Sequence, residues 1–387
     1  MNTALRHWKE AATVILAAGT RHKLPVDSLT RCVDKGTSAP AISEHSNLPD
    51  RSAFDYEVLL LKRSGTSGFM PNAYVFPGGL VDPSDFSSEW LDLFQSFRLS
   101  PNFGLGFVKQ PPETRPPIFA TDRKKLGSLV PGDVAFRICA VRETFEESGV
   151  LLVVQPELTR ITDLCDKSEL AKWRVLVNEN PSNFIRMCRE LECLPNIWAL
   201  HEWGNWLTPT GVYAKQRRYD TAFYMCCLQE TPPHTLQDEK EIVHFKILHS
   251  YQTREMWIAP PQFYDLSRMC RFPSLQNLHS FSRQRASEGC EQWLPVRMVS
   301  DSYYISLLPG DEMYPEEGSC QMDVTLNTDQ SLNELHQGCS ALHRIVALDP
   351  YTAAAVITIT PKYNHLLPFT QSKIHKLLVK SSALYRE

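Results

Sequence analysis

Apolar residues fall in short runs whose period changes along the chain. Thr13 to Ala18 and Glu57 to Lys62 (EVLLLK) are nearly continuous apolar runs, too short for helices, and read as buried strands. Ala73 to Phe76 predicts a short strand ending at Pro77-Gly78-Gly79. Trp198–Leu207, Tyr219–Leu228, Tyr303–Leu308, His343–Leu348 and Ala354–Thr360 also read as strands. Helical spacing appears over Trp90–Phe97, Leu170–Val177, Ser182–Glu190, Pro261–Cys270 and Leu275–Trp293. The pattern predicts a further helix over Val134–Gly149, with Pro131 and Gly132 before it, Asp133 as N-cap and Gly149 as its stop. Two stretches lack any period. Residues 20–53 are polar with scattered Pro, Ser and Asp, and read as a long surface loop. Residues 83–133 carry Pro111-Pro112 and Pro116-Pro117, which forbid long regular elements. Strands and helices mix without a regular βαβ rhythm or internal repeat, so an α+β layered fold is expected.

Composition narrows the class. Hydrophobic residues make up 43% and charged residues 22%, as in an ordinary globular protein. A formal net charge of −4 argues against a large basic nucleic-acid surface while leaving room for a local phosphate pocket. None of the 11 cysteines lies in a C-x-x-C pair. Cys188 and Cys193, and the adjacent Cys226 and Cys227, have neither zinc nor disulfide spacing. Cys226 and Cys227 sit in an apolar run and read as core thiols of a chain from a reducing, intracellular compartment. No apolar run reaches the ~18 residues of a membrane span. Ala11 to Gly19, after Arg6 and Lys9, reads as a buried strand rather than a presequence. The final Tyr385-Arg386-Glu387 is not a Ser-Lys-Leu type of address.

The chemistry concentrates in the 134–149 helix. Glu143, Glu146 and Glu147 stand at i, i+3 and i+4 and share one face. Alone they repel one another by a few tenths of about 1 kcal/mol per pair. A divalent cation reverses that sign, and Mg²⁺ in particular bridges one or two carboxylates to substrate phosphates. Arg142, four residues before Glu146, can hold that carboxylate in place. Phe136, Cys139, Ala140, Val141 and Thr144 supply an opposite face for packing. A bare E-x-x-E-E reads best as a solvated acidic face. With Arg142 and Gly149 at their offsets, R-E-x-x-E-E-x-G occurs by chance in on the order of one chain in a thousand.

This pattern resembles the second half of the Nudix box, G-x5-E-x7-R-E-U-x-E-E-x-G-U, where U is aliphatic. The first half lies upstream: Gly79 is followed, after five residues, by Asp85 in place of Glu. Residues 86–141, 56 in all, separate Asp85 from Arg142, where the usual box has seven. Thr144 departs from the first aliphatic position, and Asp85 is one methylene shorter than the usual Glu. The segments Leu60-Leu61-Lys62-Arg63-Ser64, Gly68-Phe69-Met70-Pro71 and Val75-Phe76-Pro77-Gly78-Gly79 resemble coenzyme A diphosphatases. The split box, Ile197-Trp198-Ala199-Leu200, Trp206-Leu207-Thr208-Pro209, Arg218 to Phe223 and Pro260 to Tyr264 are similar to the peroxisomal acyl-coenzyme A diphosphatase branch. The likeness runs from Ala11 to about Lys362, outside the 20–53 loop.

The resemblance implies a Nudix α/β/α sandwich with a mixed sheet, a long insertion (86–133) inside the box, and a C-terminal extension. It divides the chain into a Nudix domain over 1–250 and C-terminal helices and strands over 251–387. It implies Mg²⁺- or Mn²⁺-dependent hydrolysis of the diphosphate bridge of coenzyme A and acyl-coenzyme A to adenosine 3′,5′-bisphosphate and (acyl-)4′-phosphopantetheine. Glu143, Glu146 and Glu147 are then the metal ligands. Glu146 or Glu147 is the base, and Arg142 is the positioning cation. Arg63, Gly78 and Gly79 are the substrate-side residues, with the Gly79 carbonyl a further ligand candidate. A peroxisomal location follows from the resemblance, with mitochondrion or cytosol as alternatives given the last three residues.

Other residues have plainer readings. Lys62, Lys215, Arg217 and Arg218 read as ordinary surface bases that could meet phosphate. At least two of Trp198, Trp203 and Trp206 are expected to pack a sheet rather than stack on adenine. His201, His234 and His249 lack ligand spacing and read as structural or surface. Two competing functions remain: a Nudix diphosphatase for NADH, a nucleotide sugar or an RNA cap, and a non-catalytic nucleotide-binding module. The intact Glu146 and Glu147 argue against the latter.

Overall fold

The structure is a computed structural model that describes residues 8–20, 54–120, 127–155, 166–209, 217–230, 243–245, 256–315, 325–349 and 351–368. The strands in chain order are β1 (Lys9–Gly19), β2 (Tyr56–Lys62), β3 (Ala73–Val75), β4 (Gly78–Leu80), β5 (Val153–Val154), β6 (Leu194–Pro195), β7 (His201–Leu207), β8 (Tyr219–Leu228), β9 (Val243–Phe245), β10 (Trp257–Ile258), β11 (Gln292–Trp293), β12 (Val296–Val299), β13 (Tyr304–Leu307), β14 (Thr325–Asn327), β15 (His343–Asp349) and β16 (Thr352–Ile357). The helices longer than one turn are α1 (Gly132–Ser148), α2 (Lys167–Glu179), α3 (Asn183–Glu190), α4 (Pro260–Met269), α5 (Leu275–Ala286) and α6 (Leu332–Gln337).

β1 organises the main sheet. It runs parallel to β8 along almost its whole length, from Lys9↔Tyr219 to Ala18↔Leu228. Its other edge is shared: β4 pairs antiparallel near its start (Ala11↔Leu80) and β2 near its end (Ala17↔Val58). The sheet order is β10-β3-β2-β1-β8-β7-β11, a mixed sheet. Both faces of β1 are covered, which is why it reads as an unbroken apolar run. Ala12, Val14 and Leu16 pack with α1, while Ile15 and Ala17 pack with Trp203, α4 and α5. These layers, helix on sheet on helix, form the expected sandwich.

A second sheet, β14-β12-β13-β15-β16, follows in the C-terminal part. Arg344 and Asp311, both fully buried, pair at 2.6 Å in its interior. The sheet packs Val296, Met298, Ile305 and Leu307 against Leu335 of α6. Its β15 also sends Ile345 into the core containing Tyr264 and Trp293.

Several predicted bounds shift for local reasons. Ile197–Ala199 forms a 3-10 turn, with the Asn196 side chain accepting from the Ala199 amide, so β7 begins only at His201. The helix expected to reach Trp293 stops at Ala286, because the chain turns at Gly289 (φ 97°) and Gln292–Trp293 joins the edge of β7. Residues 83–120 form short 3-10 and α turns, as the prolines require. The loop expected over 20–53 falls, from residue 21 on, outside the described residues, as do His234, His249 and Lys215.

Candidate active site

The two halves of the split box meet between β4 and α1. Asp133 is not the cap of α1: Pro131 occupies the N-cap position, and Asp133 sits in the first turn, bonded to Arg137 and to Asn102 Nδ2 (2.9 Å). At the other end Gly149 takes φ 74°, and its amide donates to Phe145 O (2.9 Å), a left-handed cap that glycine adopts without strain. Arg174 of α2 donates to the carbonyls of Glu146 and Glu147, both at 2.8 Å, a favourable place for a cation at a helix C-terminus. Nothing in the sequence around Arg174 marks this role, because its partners are 27 and 28 residues away.

Arg142 is buried and joins both halves. Its Nε and Nη2 donate to the two oxygens of Asp85 (2.8 and 2.9 Å). Nη2 also donates to Leu80 O (2.9 Å), and Nη1 reaches Glu143 Oε1 (2.9 Å) and Glu146 Oε1 (2.8 Å). Asp85 is therefore the bidentate partner of Arg142, and its other bond is from the Asp82 amide (2.9 Å). Burial pushes its carboxyl up, against the pull of Arg142.

The turn before β4 faces the end of the same helix. Thr13 Oγ1 and the Val14 amide both donate to Pro77 O, at 2.6 and 2.9 Å. That fixes Gly78, whose amide donates to Glu147 Oε2 (2.9 Å). Gly79 lies so close to Glu143 that a Cβ there would sit 2.4 Å from Oε2. Any larger residue there would have to displace the Glu143 carboxylate. Thr144, the departure from the aliphatic pattern, is fully buried and satisfied within the helix by Ala140 O (2.7 Å).

These residues fit a divalent cation. Burial pushes Glu143 up to about 7, with Arg142 pulling down and the Glu146 charge adding to the rise. Burial raises Glu146 in the same way. Both are hard-oxygen donors that share the single Arg142 guanidinium, and Glu143 lies against the Gly79 backbone. Among the described residues no three acidic, imidazole or thiol groups converge on one point: Glu143 and Glu146 turn to Arg142, and Glu147 to Gly78.

A cavity of about 510 Å³ opens from Gly78, Gly79 and Glu147. Arg63, Phe69, Trp206 and Trp257 line it, and so do Arg297, Tyr304 and Ser306 of the C-terminal sheet, which sequence patterning did not single out. Arg63 holds its own loop through Phe69 O (2.9 Å) and Ser67 Oγ (3.1 Å). Trp203 and Trp206 are buried and donate to Asp265 at 3.0 and 3.1 Å, and Trp198 packs on Phe97 with its indole bonded to Phe103 O, so all three pack as core residues. Cys226 is likewise buried in the core.

A G-x5-acid half reunited with R-E-x-x-E-E-x-G beneath a mixed sheet is the arrangement of a Nudix hydrolase. Residues 8–269 match the NUDT19 Nudix domain family and residues 297–358 the NUDT19 C-terminal domain family. The chain is 45% identical over 389 residues to "Acyl-coenzyme A diphosphatase NUDT19" of Gallus gallus, covering 95% of this chain and 96% of that one. It is 46% identical over 392 residues to the Xenopus laevis protein of the same name (96% and 98%). To that of Homo sapiens it is 38% identical over 386 residues (95% and 97%). The chain belongs to the NUDT19 family of Nudix hydrolases. Nudix hydrolases generally use divalent metal ions. No helix among the described residues is long and apolar enough to cross a membrane.

Proposed function

We propose that this enzyme hydrolyses the diphosphate bridge of coenzyme A and acyl-coenzyme A, releasing adenosine 3′,5′-bisphosphate and (acyl-)4′-phosphopantetheine, with Mg²⁺ or Mn²⁺. The observation that carries the reading is Glu147, held by the Gly78 amide at the wall of the 510 Å³ cavity. The coenzyme A substrate is supported by the near full-length similarity to the acyl-coenzyme A diphosphatases.

Glu143, Glu146 and Glu147 are the metal-holding carboxylates in this reading. The cation, when bound, neutralises charge on the bridging phosphates, the main requirement of phosphoryl transfer. Glu146 or Glu147 accepts the proton of the attacking water. Arg142 positions Glu143 and Glu146 through Nη1 and is itself fixed by Asp85. The Gly78 amide holds Glu147, the Gly79 backbone lies against Glu143, and Arg63 lines the cavity while holding residues 67–69. The family resemblance supports a peroxisomal location, which imaging of the native chain tests.

A panel of coenzyme A, acyl-coenzyme A, NADH, a nucleotide sugar and capped RNA, each with Mg²⁺, Mn²⁺ or EDTA, tests the reaction. Coenzyme A compounds are expected to turn over fastest, and EDTA to stop all turnover. Faster hydrolysis of NADH than of every coenzyme A compound overturns the substrate.

A further inference from the structure

The part of the cavity wall that comes from the C-terminal sheet has no role in the mechanism above. Arg297 of β12 and Ser306 of β13 are direct cross-strand partners, and Tyr304 pairs with Val299 two residues along the same face. Alternation puts Val296, Met298, Ile305 and Leu307 on the other face, in the core with Leu335. The Arg297 face turns toward the Nudix domain: Ile345, beside Ser306 on β15, packs in the core with Tyr264 and Trp293. A guanidinium, a phenol and a hydroxyl therefore line the cavity that also holds Gly78, Gly79 and Glu147.

Arg297 is half-buried, and its guanidinium lies over the Tyr304 ring at 5.5 Å. Among the described residues no carboxylate pairs with it. Asp349, whose charge reaches Tyr304, accepts from the Tyr351 amide (2.7 Å) and the Thr352 hydroxyl (3.0 Å). Arg63, the other basic residue of the wall, already donates to Phe69 O and Ser67 Oγ. A forked guanidinium held on an aromatic ring, unpaired and flanked by two hydroxyls, suits a phosphate monoester.

We infer that Arg297, Tyr304 and Ser306 bind the 3′-phosphate of coenzyme A, making the C-terminal sheet the element that selects the phosphorylated ribose. The inference rests on the coenzyme A reading above. A phosphate monoester carries about −1.5 to −2 charge at neutral pH. It cannot enter a wall of Phe69, Phe76, Trp206 and Trp257 without a cation partner. The diphosphate has the cation at the glutamates, and the pantetheine arm carries no charge, so the monoester is the group that Arg297 answers.

The test compares kcat/KM for coenzyme A and 3′-dephospho-coenzyme A in the full chain, for the wild type, R297A and R297K. The wild type is expected to prefer coenzyme A by about tenfold or more, the effect of hydrogen bonds to a charged group. R297A loses most of that preference, and R297K keeps part, because it retains the charge without the fork. The readout is a ratio within one protein, so a general loss of active enzyme cancels. If R297A yields no folded protein, R297Q takes its place in the same ratio. An equal preference in wild type and variant overturns the inference, as does a wild type with no preference. A wild type that hydrolyses neither compound sinks the coenzyme A reading itself, a result distinct from an unchanged ratio.

Discussion

Arg142 distributes its donors over Asp85, Leu80 O, Glu143 and Glu146, so one buried side chain ties the two halves of the box together. Asp85→Asn removes the charge facing a guanidinium buried with it. Breaking such a pair from one side costs about 3–5 kcal/mol. The variant is expected to lose that much stability in denaturant titration and to lose turnover, since Glu143 and Glu146 depend on the same guanidinium; an unchanged midpoint would show that the pair is not structural. Glu147→Gln separates chemistry from structure. The amide oxygen can still accept from Gly78, so the unfolding midpoint should stay within about 0.5 kcal/mol of wild type, as for substitutions that leave packing intact. Turnover should fall about 10²- to 10⁴-fold if the carboxylate takes a proton. Undiminished turnover removes Glu147 from the site.

At the scale of elements, the N-terminal two-thirds of α1 is buried on every side, while its glutamates stay partly exposed at the C-terminal end. Val134, Ala135, Phe136, Ile138, Cys139, Ala140 and Val141 are all fully buried. The sheet covers one side, and the insertion inside the box covers another: Phe86 meets Phe136 edge-on at 5.9 Å, and Asn102 bonds Asp133. Trp90, Phe94, Phe103, Ile118 and Phe119 belong to the same core as α1. The insertion is therefore a packing layer rather than a loop hung on the surface. Trp90, 1% exposed and packed on Phe94 and Phe184, anchors it. Trp90→Ala should cost about 3–5 kcal/mol, the range for emptying a large aromatic site. A calorimetric midpoint within error of wild type would count against this role for the insertion.

At the scale of the whole molecule, the C-terminal sheet is joined to α4 through His343. Its Nε2 meets the Tyr264 hydroxyl at 2.8 Å and its Nδ1 meets Pro309 O at 2.7 Å. Burial pushes His343 down to about 4, with Pro309 O opposing and Arg268 adding. The folded protein thus excludes a proton that the unfolded chain accepts. This contribution to stability is fully present above the ordinary histidine value near 6.5 and is lost as pH falls from there toward about 4. The loss is roughly 1–3 kcal/mol over that window. His201, also pushed down to about 4 by burial, titrates in the same direction. His343→Gln should flatten part of the slope in unfolding free energy between pH 6.5 and 4, and an unaltered slope would assign the dependence elsewhere.

The elements and the reaction class were legible locally. β1 and β8 appear as apolar runs because each is covered on both faces, and α1 carries its glutamates within one turn, where charge spacing and helix period are the same information. Its glycine stop is equally local, since a left-handed cap needs only the residue at that position. The tertiary structure decided what joins across the chain. Asp85 became the partner of Arg142, 57 residues away, and Arg174 took the carbonyls at the end of α1. Arg297, Tyr304 and Ser306 came to face the cavity with Gly78 and Glu147. Periodicity tells which side of a strand is apolar, but the side chains a polar face will meet depend on how two sheets dock, and that is set by buried packing such as Ile345 against the core of α4.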